Sequence, residues 1–180
     1  MEDNREEVRV LRSKWRRFWP VIAVIVVAAG VLAAHLCVDF LTREPPNYSH
    51  IEDGFWVGGD AEEPPPGTQA VLNLCEIPDR YQVESHRWRS IRDAAPAPTL
   101  EWLREQVDFI ESERSAGRVV YVHCRNGVSR SGMVAAAYLM RRERWSRDQA
   151  LDFLRQHRPS VRPNPAFMQL LVDWERSLGK

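Results

Sequence analysis

Apolar positions fall into three regimes along the chain. From Val21 to Val38 they are almost continuous, with His35 the single polar side chain, and Phe40 and Leu41 extend the run past Asp39. A helix over that stretch rises about 27 Å, close to the hydrocarbon thickness of a bilayer. Trp15, Phe18 and Trp19 stand at its leading edge, where interfacial aromatics collect. The pattern predicts a transmembrane helix over 21–41, preceded by a basic segment over 1–20. A linker over 42–49 follows, in which Glu44-Pro45-Pro46-Asn47 is stiff and polar. A helix buried in a modest soluble domain would not be apolar on every face. A cleaved secretory signal has a shorter apolar run and a shorter, less mixed leader.

Over 50–180 the second and third regimes alternate. Short apolar runs bounded by turn residues predict strands at Ile51–Gly59, Ala70–Cys75, Trp88–Ile91 and 118–123. Between them, Leu100, Leu103, Val107 and Ile110 recur at helical spacing over 99–115, with Thr99 as N-cap. A helix over 131–143 carries the apolar run Met133–Met140. Ser146 caps the next, whose apolar face is Ala150, Leu151, Phe153 and Leu154. Asn164-Pro165 supplies an N-cap and a first-turn proline for a last helix ending near Leu178. Strands interleaved with helices predict an α/β fold, a short and mainly parallel sheet flanked by helices.

Composition adds limits. The 180 residues leave room for one domain besides the apolar span. Lys plus Arg and Asp plus Glu both number 25, so the formal net charge is zero and no global field favours nucleic acid. The charge is unevenly placed, however. Arg5, Arg9, Arg12, Lys14, Arg16 and Arg17 precede the span, and Arg43 is the only Lys or Arg between it and Arg80. That bias predicts a single-pass protein with a cytoplasmic N-terminus and residues 50–180 across the membrane. Three cysteines without paired spacing argue against a disulfide framework or a zinc site. Neither metal nor cofactor is expected, and the protein is expected to be a monomer.

The stretch His123-Cys124-Arg125-Asn126-Gly127-Val128-Ser129-Arg130-Ser131-Gly132 lies between a predicted buried strand and a predicted helix. A strand–loop–helix turn aims backbone N–H groups and the positive end of the helix dipole at one spot, which makes an anion cradle. A cysteine at its mouth is favoured as thiolate by the helix N-terminus and a neighbouring guanidinium. Arg130 offers a planar fork that matches two phosphate oxygens at once. Nucleophile, oxyanion cradle and clamp thus fall within one short loop, and the oxidising compartment implied by the charge rule sits badly with its free thiol.

This loop resembles the signature of cysteine-based phosphatases, and its Val-Ser-Arg-Ser run is most similar to the dual-specificity branch. Gly54-Phe55-Trp56-Val57-Gly58, Val71-Leu72-Asn73-Leu74, and Arg158-Pro159 with Pro163-Asn164-Pro165-Ala166-Phe167-Met168-Gln169-Leu170 also look like landmarks of that branch. The resemblance implies phosphomonoester hydrolysis through a phosphocysteine. Such chemistry needs a carboxyl to protonate the leaving group and then activate water. Asp53, Asp60, Asp79, Asp93 and Asp108 lie upstream of Cys124. Asp108 falls mid-helix, Asp53 and Asp60 in the first turns, and Asp79 on an apparently exposed loop. Asp93 has the place and spacing of the family's acid. His123 is expected to orient the loop, Ser131 to hydrogen-bond the thiolate, and Gly127 to let backbone approach phosphate. Arg125, Asn126, Gly127, Val128, Ser129 and Arg130 line the oxyanion. Asn164 is read as a helix cap without catalytic role. Cys75 is read either as an inert core residue or as a reversible disulfide partner of Cys124.

The expected substrates are phosphotyrosine, phosphoserine and phosphothreonine side chains, since of the loop's variable positions only Arg125 is basic. The Asp93-Ala94-Ala95-Pro96 stretch and the membrane span also look similar to phosphatidylglycerophosphate phosphatases, which makes a phospholipid headgroup the alternative. A phosphate-binding module without turnover is the poorer reading, because both Cys124 and an acid are present. Rhodanese and arsenate-reductase chemistry fit the Arg-Ser-Gly ending less well.

Overall fold

The computed structural model describes residues 3–42 and 46–179; the side chains of 1–17 and 39–45, and with them most of the expected basic segment and part of the linker, lie outside the described residues. Two compact units meet between Pro45 and Pro46. The first is built on α1, Asp3–Thr42, a helix that runs through Pro20. Within it Phe18–Val38 has a mean hydropathy of 2.8 and side chains exposed throughout, long and apolar enough to cross a membrane. The boundary expected at residue 20 is therefore a change of polarity within one helix.

The second unit begins at Pro46, so Asn47-Tyr48-Ser49, expected in the linker, belong to the folded unit. Its strands are β1 (Tyr48–Glu52), β2 (Phe55–Gly58), β3 (Thr68–Asn73), β4 (Ser85–Trp88) and β5 (Val119–His123). Its helices are α2 (Leu100–Ser115), α3 (Arg130–Arg142), α4 (Arg147–His157) and α5 (Pro165–Ser177). The sheet runs β1-β2-β5-β3-β4, antiparallel only at the β1–β2 hairpin. This is the mainly parallel α/β architecture that the alternation of runs implies.

One strand is displaced from its expected position. β4 is Ser85–Trp88 rather than 88–91, because its partner β3 ends at Asn73, which pairs with Trp88 and leaves later residues no ladder. Being an edge strand with polar side chains, β4 carries little hydrophobic pattern to read.

The register fixes where chemistry can occur. Gly58 of β2 and Asn73 of β3 are both level with His123 at the end of β5. Three parallel strands thus end together, and the segments leaving them converge outside their carboxyl ends, the usual location of sites in open α/β sheets. α3 departs from the central strand and is buried from Ser131 to Met140, packed on β5 and β2 and against α2, α4 and α5.

Caps define the other helices. Thr99 accepts from the Trp102 N–H, Ser146 forms a capping box with Gln149, and Asn164 accepts from the Phe167 N–H at 3.0 Å with Pro165 next in line. Trp174 of α5 is fully buried and donates to the Ala137 carbonyl of α3 at 3.0 Å, tying the last helix to the one that opens the site. Trp174→Ala should lower stability by about 3–5 kcal/mol, as for other buried aromatic truncations. Urea unfolding followed by fluorescence measures it, and a loss below about 1 kcal/mol contradicts the assigned packing.

Candidate active site

Between β5 and α3 the chain makes the loop 124–129, and neighbouring segments hold four of its carbonyls in turn. Arg125 O accepts from the Asp60 N–H at 2.9 Å, and Val128 O from the Arg162 N–H at 2.9 Å. Asn126 O and Gly127 O accept from the Arg158 guanidinium at 3.1 and 2.7 Å. In a trans peptide the carbonyl and the following N–H point opposite ways, so turning these carbonyls outward aims the N–H groups of Asn126 to Ser129 inward. Among the described residues none of the N–H groups from Arg125 to Arg130 donates to another protein group. α3 also lacks a side-chain cap, since the Ser129 hydroxyl is turned elsewhere. The result is a ring of uncommitted donors at the positive end of a helix, an anion site by construction.

Gly127 is required here by its surroundings as well. Its φ is +66°, and a Cβ would lie 2.6 Å from the Gly59 nitrogen and against the Arg158 guanidinium. The crowding is therefore on the outer side of the loop rather than on the side that would meet phosphate.

Cys124 lies at the base of the ring, 1% exposed, its Sγ 3.3 Å from Ser131 Oγ. That hydroxyl also donates to the Gly58 carbonyl at 3.2 Å. Arg130 is 4% exposed, and one terminal nitrogen carries all its contacts, to Leu74 O, Ile91 O and Glu76 Oε1 at 3.2, 2.9 and 2.8 Å. Its Nε is buried without a partner. The guanidinium is thus anchored on one side and leaves donors free on the other. Glu76 is oriented by Asn73, whose amide takes the Cys75 N–H and the Ile77 carbonyl to shape the turn. The hydrogen bond from Arg130 holds the Glu76 carboxyl below its ordinary range. Arg125 and Asn126 project into solvent, and Val128 is half-buried.

Asp93 is exposed and docked on the loop from the far side. One oxygen accepts from Ser129 Oγ at 2.6 Å and from Asn164 Nδ2 at 2.9 Å, while the Asn164 N–H donates to the same Ser129 hydroxyl at 3.1 Å. Asn164 therefore does more than cap α5, because it joins Asp93 to the loop.

Behind Cys124 lies a buried polar layer. The His123 ring is fully buried and stacked on Tyr121, and the His123 carbonyl accepts from the Leu74 N–H at 2.9 Å. Its Nε2 lies 3.0 Å from Asp79 Oδ1, close but off the hydrogen-bond line, and the other oxygen of Asp79 meets His86 Nε2 at 2.7 Å. The Asp79 side chain is only 2% exposed, which corrects the expectation of an exposed loop carboxylate. Burial pushes its pKa up, and the hydrogen bonds and charges of His123 and His86 outweigh that, so the net shift is downward. Asp60, Asp79 and His123 place one ligand atom each within 4.8 Å of one another, as a metal would require. His86 holds one oxygen of Asp79, while the other faces His123 Nε2 at 3.0 Å without a hydrogen bond, so the three groups form a close buried polar cluster. Cys75 packs its sulfur 3.8 Å from His123 Nδ1. Burial first, then the negative charges of Cys124 and Asp60, push its thiol up to about 12.

Comparison with known proteins places this geometry. The family described as the dual specificity phosphatase catalytic domain matches residues 67–177. The chain belongs to the dual-specificity phosphatase family. It is 39% identical over 107 residues to human dual specificity protein phosphatase 16, covering 59% of this chain and 16% of that one. The chain spans 16–30% of the length of the first curated relatives it matches. The crystal structure of human DUSP28 superposes with a TM-score of 0.69 at 27% identity, covering 76% of this chain and 98% of that one. PTPMT1, solved in complex with PI(5)P, shares the fold with a TM-score of 0.66 at 22% identity, covering 74% of this chain and 97% of that one.

The residues read from sequence as a dual-specificity site, Cys124 to Ser131 with Asp93 and His123, come together around this one cradle. Glu76, which holds its arginine, carries no motif of its own, and Arg158, which holds two of its carbonyls, stands in the Arg158-Pro159 landmark without a role that sequence could assign. Asp79→Asn should cost about 1–3 kcal/mol at neutral pH, the usual loss for a buried hydrogen-bonded group. Because the folded pKa is depressed, that contribution is present above the ordinary value of 3.8 and lost as pH falls through the lower folded value. Melting temperatures of variant and wild type should therefore converge below pH 4; a constant gap down to pH 2.5 contradicts the assignment.

Proposed function

We propose that residues 46–180 hydrolyse phosphomonoesters on protein tyrosine, serine and threonine side chains through a phosphocysteine intermediate. The observation that carries this is the ring of uncommitted N–H groups around a buried cysteine, with the free side of the Arg130 fork beside it. The Cys124 thiolate attacks phosphorus, an S–P bond forms, and the P–O bond to the side-chain oxygen breaks. Asp93, protonated, gives its proton to that leaving oxygen. Water then attacks phosphorus, Asp93 takes the proton, and the S–P bond breaks to release inorganic phosphate. Ser131 Oγ hydrogen-bonds the returning thiolate. Charge on the equatorial oxygens meets the amides of the loop and Arg130, so stabilisation is chiefly electrostatic and preorganised. His123 acts indirectly, as the residue that seats the loop.

Membrane tethering by the apolar part of α1 completes the reading. A spanning helix makes insertion effectively irreversible, and confinement raises the effective concentration of membrane-associated substrates. The flanking charges favour a cytoplasmic N-terminus. A phospholipid headgroup is the alternative substrate, favoured by the tether; the loop's single basic variable residue, Arg125, favours phosphoproteins.

Cys124→Ser should abolish turnover of para-nitrophenyl phosphate, and Arg130→Lys should nearly do so, because the charge stays while the fork is lost. Asp93→Asn should cost about 10²–10⁴-fold in kcat on phosphopeptides and less on para-nitrophenyl phosphate, whose leaving group departs unaided. Substantial kcat in the Cys124 variant overturns the mechanism. Parallel turnover of phosphopeptides and of phosphatidylglycerophosphate in vesicles separates the two substrate classes. The protein should resist carbonate extraction, and a chain beginning at Arg43 should be soluble and active; release of the intact protein by carbonate removes the tether.

A further inference from the structure

Arg158 is 7% exposed and pairs with no carboxylate among the described residues; its hydrogen bonds go to two places only. On one side it donates to the carbonyls of Gly127 and Asn126 at 2.7 and 3.1 Å. On the other it donates to Asn47 Oδ1 at 2.6 Å and, more distantly, to Ser49 Oγ at 3.4 Å. Asn47 is held in turn by its own carbonyl, which accepts from the Gly59 N–H at 2.7 Å. Asp60, next in the chain, donates its N–H to Arg125 O. The segment entering the domain, the turn after β2 and the loop 124–129 are therefore laced together through one guanidinium.

The glycines show how tightly these layers lie. A Cβ on Gly59 would come within 2.8 Å of both Asn47 Cγ and Arg125 O, and one on Gly58 within 2.7 Å of Tyr48 Cα. One on Gly127 would meet Gly59 N at 2.6 Å. Backbone stacks on backbone here with no room for a Cβ, so a shift of the Asn47 backbone is passed directly to its neighbours.

We infer that Asn47 is a positioning residue for the phosphate-binding loop: by fixing the Arg158 guanidinium it keeps the Asn126 and Gly127 carbonyls turned outward, and hence the N–H groups of Gly127 and Val128 turned toward the oxyanion. The inference rests on the phosphatase reading above and extends it to the stretch that follows the N-terminal helix. Asn47 immediately precedes the first strand, so the segment that enters the folded unit forms part of the active-site frame. Without Asn47, a buried charged donor loses an acceptor and Arg158 is free to turn away from the loop.

The test is a double-mutant cycle on the full chain in detergent, with orthovanadate affinity as readout beside kcat, KM and melting temperature. Asn47→Ala should weaken vanadate binding about tenfold, the effect of losing one hydrogen bond to a charged group, with KM rising in parallel. In an Arg158→Lys background, where the guanidinium fork is already gone, Asn47→Ala should change vanadate affinity less than twofold, because the two act through one contact. Asn47→Gln, which keeps the amide but moves it by a methylene, should be intermediate, and it serves if the alanine variant fails to fold. Unchanged vanadate affinity in both Asn47 variants overturns the inference, as does full additivity with Arg158→Lys. Wild-type protein that binds vanadate but turns over no phosphomonoester defeats the phosphatase reading instead, and the cycle on vanadate affinity still decides the role of Asn47.

Discussion

The outward pinning of the loop carbonyls is the constraint on which the rest of the site depends. A short loop between a strand and a helix has as many carbonyls as amides, and left alone it would direct both at random toward the centre. Here carbonyls 125 to 128 are each taken by a donor from another segment. The inward face is thereby left to N–H groups, and Ser129 completes the arrangement by giving its hydroxyl to Asp93 instead of capping α3. A side-chain cap at that helix would satisfy one of the amides that an anion needs. The fold therefore leaves local hydrogen-bonding capacity unused at the one helix end where a ligand can use it, and caps α2, α4 and α5 normally.

Preorganisation of this kind has to be held from several directions, and the sheet register supplies them. Because β2, β5 and β3 end level, Gly58, Cys124 and Leu74 are neighbours although far apart in sequence. Cys124 N reaches the Gly58 carbonyl, and Leu74 N reaches that of His123. The turn after β3 then delivers Glu76 to one nitrogen of Arg130, and the fork keeps its remaining donors. Asp79, held by His86, lies beside the ring of His123. Each support is an ordinary interaction of about a kilocalorie, and together they hold the loop from several sides at once.

What the sequence made legible follows from range. Caps at Thr99, Ser146 and Asn164 are local, as are the apolar runs of β3, β5 and α3, and the loop itself carries its chemistry within ten consecutive positions. Edge strand β4 was misplaced because its pattern is weak and its limits are set by a partner strand. Glu76 and Asn47 were illegible as site residues, since a glutamate and an asparagine each have a plausible solvated reading, and Arg158, although part of a family landmark, acts on carbonyls distant in the chain that only the fold brings to it. Asp79 was misjudged for the same reason: only the fold brings His123 and His86 to it. Asn164 was read correctly as a cap, yet its second contact, to Asp93, depends on a loop that sequence periodicity cannot place.

The buried layer also bears on which side of a membrane the proposed enzyme would work. A thiolate nucleophile survives oxidants when a neighbouring cysteine traps its sulfenic acid as a disulfide. Trapping requires the neighbour as thiolate. Burial first, then the negative charges of Cys124 and Asp60, push the Cys75 thiol up to about 12, which disfavours its thiolate at neutral pH. Oxidation of Cys124 would remove one of the negative charges that raise it, but burial, the largest cause, would persist. Of the two readings of Cys75, that raised pKa favours inert core packing against His123. A free thiolate nucleophile is best kept in a reducing compartment, whereas the basic residues ahead of the apolar span, within α1, favour the opposite side, so thiol chemistry and charge bias pull the proposed enzyme in opposite directions.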